Sequence, residues 1–214
     1  MSTRRLLSGA GLAAIAGALI AIVLTPPFAT AYFLAYPGYD VPPFWLPFLE
    51  PRLGPVLSFA PADEVYETYG RIYNLAYLLF LPAAFALHRL HRGSANRWEK
   101  RGFVVLVAGL LATFVGVAGD YWAHGIGFLL EVLGLLVLMI GSLVYGIALL
   151  RIGVAPRWVA WSFVLAGPGA LLFMFLIGHI PSGPTFPLAI CWLLVGFMLL
   201  SRSRATSTGG GTSG

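Results

Sequence analysis

Three polar side chains lie inside stretches that are otherwise apolar, namely Arg71, Asn74 and Glu131. Charge inside a bilayer is costly, so such residues usually face a partner, a substrate or an ion path. Arg71 and Asn74 lie about two to three helical turns from the start of their apolar stretch, and Glu131 lies about one to two turns into its own. If these stretches cross a membrane, all three side chains are expected towards the same membrane face.

More polar groups are expected at that face. Glu67 and Arg71 are spaced i,i+4, which allows an ion pair on one helix. Tyrosines at positions 66, 69, 73 and 77 fall on one side of the same helix. Further carboxylates and imidazoles precede or follow neighbouring apolar stretches. The candidate polar pocket consists of Glu67, Arg71, Asn74, Tyr73, Asp120, His124, Glu131 and His179.

Three interpretations of this pocket remain open. Asp120, His124 and His179, with Glu131, have the oxygen and nitrogen donors that metal ions prefer. Arg71 with the tyrosines could instead bind an anionic or lipid-like headgroup. A purely structural role, with ion pairs from Arg71 to Glu67 and Glu131, explains the same residues. The Asp-x-x-x-His spacing is a weak metal signal and no His-Glu-x-x-His motif supports it, so we expect no cofactor.

A second pair of histidines, His88 and His91, ends the second apolar stretch with the spacing of one helix face. Neighbouring Arg89 and Arg92 make these histidines resemble anchors at the membrane surface. Haem held between helices requires histidines that face each other inside the membrane, and no histidine lies in the middle of an apolar stretch.

The composition indicates an integral membrane protein. Of its 214 residues, 59% are hydrophobic and 10% are charged, whereas soluble domains carry about 25% charged residues. The apolar residues come in blocks near the roughly 20-residue length of a bilayer span. We therefore expect an all-α, polytopic bundle of six transmembrane helices forming one domain over residues 1–200, followed by a disordered, Gly/Ser/Thr-rich tail over 201–214.

The expected spans can be placed by their apolar blocks. Ala29-Thr30-Ala31 fits the cleavage site of a signal peptide. The first span is nevertheless expected to be a retained helix, because its apolar run 6–24 is longer than the roughly 7–15 residues of a signal-peptide core. A break is expected at Gly167-Pro168-Gly169 of the fifth span. Seven prolines in 37–63 exclude a regular helix there and predict an aromatic loop along the membrane surface. The predicted spans are 6–36, 64–88, 102–119, 126–150, 158–178 and 185–200.

Charge gives the bundle an expected orientation. Placing both termini and the connections 89–101 and 151–157 on one side puts eleven of the thirteen Lys and Arg residues there. The opposite side then holds seven of the eight acids, all but Glu99. Lys and Arg stay in the cytoplasm, so both termini are expected to be cytoplasmic. Because the basic residues flank spans and form no domain patch, the net charge of +5 does not indicate nucleic-acid binding.

The turn between the fourth and fifth spans is strongly patterned. Gly153 suits a left-handed helix cap and Pro156 suits a helix start. The segment YGIALLRIGVAPRWVAW, residues 145–161, resembles one common in uncharacterised bacterial and archaeal multi-span membrane proteins, in which a helix ends in R-x-G-x-x-P-R-W. The resemblance implies a helical membrane protein and carries no functional residue. Twelve arginines against one lysine also point to a bacterial source.

Three functions are compatible with these features. The leading interpretation is a small transporter-like or accessory protein of the cytoplasmic membrane, without enzymatic activity, with a polar pocket that opens outward towards a lipid or small-molecule ligand. The alternatives are an integral membrane enzyme acting on a lipid or isoprenoid-like substrate through Glu131, Asp120 and His124, or a structural subunit of a membrane complex. Small residues seven apart in the fourth span, Gly134, Gly141 and Ala148, predict close helix packing and would suit a homo-oligomer or complex equally.

Overall fold

The computed structural model describes residues 3–38, 40–93, 96–123, 125–153 and 155–208, and within them the chain is all-helical, without strands. Six of the seven helices are long and apolar enough to cross a membrane. The prediction of an all-α bundle with six spans is thus confirmed, with helix ends shifted by a few residues. The helices are α1 (Thr3–Ala35), α2 (Leu46–Leu57), α3 (Ala62–His91), α4 (Arg97–Trp122), α5 (Phe128–Ile152), α6 (Arg157–Ile177) and α7 (Ser182–Thr208).

The six long helices form a closed ring. Each packs on the next along the chain, α3 on α4, α4 on α5, α5 on α6 and α6 on α7, while α1 packs against both α3 and α7. Large aromatic side chains fill the interior, where Trp192 of α7 stacks on Phe80 of α3 at 5.4 Å and meets Phe163 of α6 at 5.3 Å. Leucine and isoleucine side chains such as Leu19, Leu136 and Ile140 point outward and are exposed, as lipid contact requires.

Helices α4 and α5 pack closely through glycines spaced seven apart on both helices. A Cβ added at Gly109 or Gly116 of α4, or at Gly134 or Gly141 of α5, would lie only 2.2–2.6 Å from backbone of the facing helix. The predicted small-residue seam of α5 therefore packs against α4. Because the two backbones are this close, the position of α5 along the axis of α4 is fixed, and so is the position of Glu131.

The proline-rich connection differs from its prediction. The prolines of this connection predict that it contains no regular helix. The structure shows that it contains α2, which packs against α1. Pro47 lies in the first turn, where its missing N–H has no helical partner to lose, and Pro51 and Pro55 follow at four-residue intervals on the exposed side. The Trp45 indole N–H donates to the Leu176 carbonyl at 2.9 Å, which ties this connection to the end of α6.

Two further predictions of irregular structure are wrong. Helix α6 runs without interruption through Gly167-Pro168-Gly169. Residues 201–208 of the expected disordered tail continue α7, and Ser203 is buried; residues 209–214 lie outside the described ranges. The Gly153 cap is confirmed, with φ of 69° and its N–H bonded to the Leu149 carbonyl.

The bundle has two chemically different ends, because six consecutive spans return the chain to the end where it began. The acidic end contains the connections that follow α1, α4 and α6. The basic end contains both terminal segments and the connections that follow α3 and α5. Seven of the eight acids of the sequence belong to the acidic end and eleven of the thirteen Lys and Arg residues to the basic end.

Candidate functional site

A chain of hydrogen bonds links three elements at the acidic end. The hydroxyls of Tyr66 on α3 and Tyr121 on α4 lie 2.8 Å apart, and the Tyr66 hydroxyl lies 3.1 Å from Nε2 of His179, which precedes α7. Nδ1 of His179 lies 2.8 Å from the Ser182 hydroxyl. We call these four residues the Tyr–His chain. All four are buried, so their geometry is held by packing rather than by solvent.

Phe28 of α1 is the packing centre of the Tyr–His chain. Its ring centroid lies 5.4 Å from Tyr66, 5.5 Å from Tyr121 and 4.7 Å from His179. Stacked and edge-to-face contacts at these distances favour one arrangement of the rings. Helix α1 thereby positions side chains that come from α3, α4 and the α6–α7 connection.

His179 is uncharged in this setting. Burial lowers the pKa of His179 from its ordinary value of 6.5 to about 3. A neutral imidazole has one donor and one acceptor nitrogen, so its two bonds, to Tyr66 and Ser182, use one nitrogen in each role. The histidine therefore joins two hydroxyl groups without adding charge to the site.

Deeper in the bundle, tyrosine hydroxyls continue this polar interior. Tyr73 lies 3.2 Å from the Thr25 hydroxyl and donates to the Ser182 carbonyl at 3.5 Å, which links it to the Tyr–His chain. One turn further along α3, the hydroxyl of Tyr77 is hydrogen bonded to that of Thr185. Both tyrosines are fully buried. The predicted tyrosine stripe thus points inward, except for Tyr69, which donates to the Val56 carbonyl of α2.

Glu131 and Asn74 are sealed inside the bundle. Both are completely buried, and neither the Glu131 carboxyl oxygens nor the Asn74 amide atoms have a hydrogen-bond partner among the described residues. More than about 90% of buried polar groups in proteins are paired, so two unpaired side chains in one interior are unusual. Glu131 lies within electrostatic reach of Asp120, Tyr66 and Tyr121, so its carboxyl belongs to the same end of the bundle as the Tyr–His chain.

Arg71 is already occupied. Its guanidinium lies 2.5 Å from the Glu67 carboxylate, and its Nε–H donates to the Tyr121 carbonyl at 2.9 Å. The ion pair expected from the i,i+4 spacing is therefore present. Because Arg71 binds the backbone of Tyr121, it braces α3 against α4 and is not directed as a free cation towards a ligand.

The metal interpretation gains no support from the described residues. No group of three His, Cys, Asp or Glu side chains among them is arranged to hold a metal ion. Asp120 is half-buried at the end of α4, and His179 uses both ring nitrogens within the Tyr–His chain. His124, the third ligand of that interpretation, lies outside the described residues.

A cavity of about 500 Å³ opens beside the Tyr–His chain. Its size falls within the roughly 300–1,000 Å³ of small-molecule sites. Tyr66 and His179 belong to its wall, together with apolar and aromatic side chains and one carboxylate, that of Asp40, which accepts a hydrogen bond from Tyr32. We call it the acidic-end pocket. Its lining residues are Tyr32, Asp40, Val41, Tyr66, Phe128, Met174, Phe175, Gly178, His179 and Ile180.

Two candidate residues from the sequence, Tyr66 of the stripe and His179, line the acidic-end pocket; Glu67, Arg71, Asn74, Tyr73, Asp120 and Glu131 do not. The sequence pattern missed Tyr32, Asp40 and Tyr121. Tyr121 belonged to a segment expected to be a short turn, and Asp40 to the proline-rich connection. An acid between aromatic residues at a membrane surface is a signal that could have singled out Asp40.

No protein-family model matches the chain, and no curated protein or solved structure matches it either. Its class therefore follows from its own helices. Six of them have the length and hydropathy of membrane spans, and their outward-facing side chains are apolar, while polar side chains such as Asn74 and Glu131 are buried inside. The chain is a polytopic helical membrane protein. Such an interior, rather than the lipid-facing surface, is where a specific activity has to be sought.

Proposed function

We propose that this membrane protein is a small transporter-like or accessory protein whose acidic-end pocket binds a small amphiphilic ligand. The acidic-end pocket carries the proposal, because it combines ligand-sized volume with a wall held by the Tyr–His chain. A site whose polar groups are positioned by buried hydrogen bonds loses little entropy when a ligand binds. The surrounding aromatic and apolar side chains suit the hydrocarbon part of such a ligand.

The charges around the pocket favour a cation or a neutral donor over an anion. Asp40 is the only charged residue among the described residues that line it. The aromatic rings of Tyr32 and Tyr66, whose centroids lie 5.6 Å apart, also belong to its wall, and aromatic rings attract cations. His179 is neutral, and Arg71 is engaged by Glu67. The headgroup expected from Arg71 and the tyrosines was anionic; the arrangement of these side chains supports an amine or quaternary ammonium group instead.

We also propose that the pocket faces outward from a bacterial cytoplasmic membrane. The basic end carries most of the Lys and Arg residues, and such residues remain cytoplasmic during insertion. This orientation leaves both termini in the cytoplasm and the excess of acids outside. An acidic outer face would raise the local concentration of cationic ligands.

Binding to protein reconstituted in nanodiscs tests the ligand class. Hexyltrimethylammonium, hexanol and hexyl phosphate share one chain and differ only in headgroup, and calorimetry would rank their affinities. We expect hexyltrimethylammonium to bind most tightly. Asp40→Asn should weaken the binding of hexyltrimethylammonium and leave the affinities for hexanol and hexyl phosphate unchanged. Asp63→Asn is the matched control, since Asp63 is an exposed acid of the same end that does not line the pocket. Absence of binding by all three probes, or equal effects of both variants, would contradict the proposal.

A membrane enzyme acting on a lipid or isoprenoid-like substrate is the second candidate, and the unpaired Glu131 beside Asp120 favours it. A carboxyl without a partner in a polar interior is suited to proton transfer. Glu131 does not line the acidic-end pocket, so a substrate would have to reach deeper than the ligand proposed above. Conversion of labelled prenyl or acyl lipids by wild type but not by Glu131→Gln would support this candidate.

A further inference from the structure

A histidine–glutamate pair is buried at the basic end, opposite the acidic-end pocket. Glu99, in the first turn of α4, is fully buried, and its Oε1 lies 2.8 Å from Nδ1 of His88 in the last turn of α3. The His88 side chain is 21% exposed and stacks on Phe103 at 4.0 Å. His88 therefore has one side on the surface of the bundle, at its basic end, and the other on a fully buried carboxyl group.

The second oxygen of Glu99 faces into the bundle. Oε2 has no hydrogen-bond partner among the described residues, and the same is true of the buried Tyr145 hydroxyl. Tyr145 of α5 lies within electrostatic reach of Glu99. The close approach of the two helices at Gly102, where a Cβ would lie 2.9 Å from the Tyr145 Cα, holds this tyrosine near the start of α4.

Helix α5 connects this pair to Glu131. Glu131, Ser142 and Tyr145 lie at spacings of eleven and three residues, which place them on one helix face. All three are fully buried. From Glu131 to Tyr145 this face extends about 21 Å at 1.5 Å per residue, most of the roughly 30 Å hydrocarbon core of a bilayer.

Buried polar atoms without a hydrogen-bond partner among the described residues occur on α3, α4, α5 and α7. Native proteins leave few buried polar groups without partners, so their occurrence near both ends of this interior is unusual. Trp192 lies among them between Phe80 and Phe163, and Tyr77 lies closer to the acidic end. The side chains with such atoms are Glu131, Asn74, Ser142, Tyr145, Trp192 and Glu99, besides His91 at the basic end.

We propose that the bundle conducts protons between its two ends, with Glu99 and Glu131 as the buried carriers. At the basic end, His88 exchanges protons with solvent and passes them to Glu99. Tyr145, Ser142 and the tyrosines of α3 connect the interior to Glu131. Water molecules bridge the side chains that are not hydrogen bonded to each other, and Asp120, within electrostatic reach of Glu131, returns the proton to solvent at the acidic end. Each group releases one proton as it accepts another, so every carrier returns to its starting state. Intramembrane acids in a polar interior mark such relays.

The charged surroundings of both carboxyls fit this role. Glu99 faces His88 from α3 and Tyr145 from α5, while His91 of α3 and Arg202 of α7 lie nearby at the same end. Glu131 lies within electrostatic reach of Asp120 and Tyr121 from α4 and of the tyrosines 66, 73 and 77 from α3. Neither carboxyl has a Lys or Arg ion pair among the described residues, so neither is held permanently as an anion by a fixed cation.

Proton flux into liposomes tests the proposal on the full chain. Vesicles of phosphatidylcholine and phosphatidylglycerol would enclose a pH-sensitive dye, and a potassium gradient with valinomycin would drive the flux. We expect wild type to acidify the lumen faster than protein-free vesicles do. Glu99→Gln and Glu131→Gln should fall to the protein-free rate, while Glu64→Gln, at an exposed acid outside the path, should conduct like wild type.

His88→Gln keeps the experiment decisive if Glu99→Gln fails to fold. Glutamine can still donate a hydrogen bond to Glu99 but cannot carry a proton at neutral pH. This variant should elute as a single species like wild type and lose the flux. Wild-type flux equal to that of protein-free vesicles, or wild-type flux in a folded His88→Gln or Glu99→Gln variant, would overturn the proposal. Ligand binding at the acidic-end pocket is measured separately and does not depend on this outcome.

Discussion

Gly116 of α4 lies against the backbone of Glu131 of α5, so closely that a Cβ at Gly116 would stand 2.2 Å from the Glu131 nitrogen. This contact explains why a carboxyl in the first turn of a helix is fully buried. The two backbones leave no space for a side chain between them. The glycine thus determines where the acid lies, although it carries no chemistry of its own.

Replacing this glycine should destabilise the protein. Gly116→Ala adds a methyl group against immobile backbone, and such overpacking costs about 1–3 kcal/mol. Gly9→Ala is the matched control, because a Cβ at Gly9 meets nothing within 4 Å; it should be neutral or stabilise α1 by up to about 1 kcal/mol. Thermal stability in detergent, followed by size-exclusion chromatography, measures both. Equal stability of the two variants would show that α4 and α5 are not this close.

The two tyrosines of the Tyr–His chain should differ in their contributions. Tyr66→Phe removes a hydroxyl bonded to both Tyr121 and His179 and should cost about 1–3 kcal/mol, because it leaves buried partners unsatisfied. Tyr121→Phe leaves the Tyr66–His179 bond in place and should cost less. The same thermal assay ranks the variants, and the double variant should lose less than the sum of the two. A larger loss for Tyr121→Phe would contradict the described chain.

Acid should destabilise the protein through His179. Its pKa is about 3 in the folded protein and ordinarily 6.5, so below pH 6.5 the unfolded chain binds a proton that the folded chain does not. Stability should therefore fall as the pH drops from 6.5 towards 3, by at most about 1.4 kcal/mol per pH unit. His179→Gln removes this titration and should flatten the curve. Parallel stability curves of wild type and variant over this range would contradict the described burial.

Arg71 should contribute little to stability or binding. Its side chain is 38% exposed and that of Glu67 is 32% exposed, and surface ion pairs contribute about 0–1 kcal/mol. Arg71→Gln removes this ion pair and the bond from Nε to the Tyr121 carbonyl, so it should lower the free energy of unfolding by no more than about 2 kcal/mol and leave hexyltrimethylammonium binding unchanged. Calorimetry with hexyl phosphate provides the counter-test. Binding of that anion by wild type and its loss in Arg71→Gln would restore the interpretation of Arg71 as a headgroup ligand.

The six spans could be predicted because hydropathy alone determines them. Helix α2 could not, since its prolines were read as helix breakers although Pro47 begins the helix and Pro51 and Pro55 lie on its exposed side. The extension of α7 past residue 200 was missed for a related reason. A polar, Gly/Ser/Thr-rich composition predicts disorder, whereas burial of Ser203 keeps the last turns helical.

The end of the bundle at which the candidate site lies could be predicted from the sequence. Which of its residues are hydrogen bonded to each other could not. Tyr66 and His179 are 113 residues apart in sequence, and only the closed ring of helices brings them together. The sequence pattern does not single out Glu99, which is the one acid on the basic side, because the residues around it are basic. Its local signal was present, since Asn96 followed three residues later by Glu99 is a capping pattern, and the Asn96 side chain accepts the Glu99 N–H at 2.9 Å.

Labelling in intact cells tests the central claim, a six-span bundle whose acidic-end pocket faces outward. Cys191 is the only cysteine and is 1% exposed, so Cys191→Ala provides a background for new single cysteines. Val41 lines the pocket and is 90% exposed, and Ser201 is exposed at the basic end. A membrane-impermeant maleimide should label Val41→Cys in intact cells and Ser201→Cys only after permeabilisation. The reverse pattern, or labelling of both in intact cells, would contradict the account.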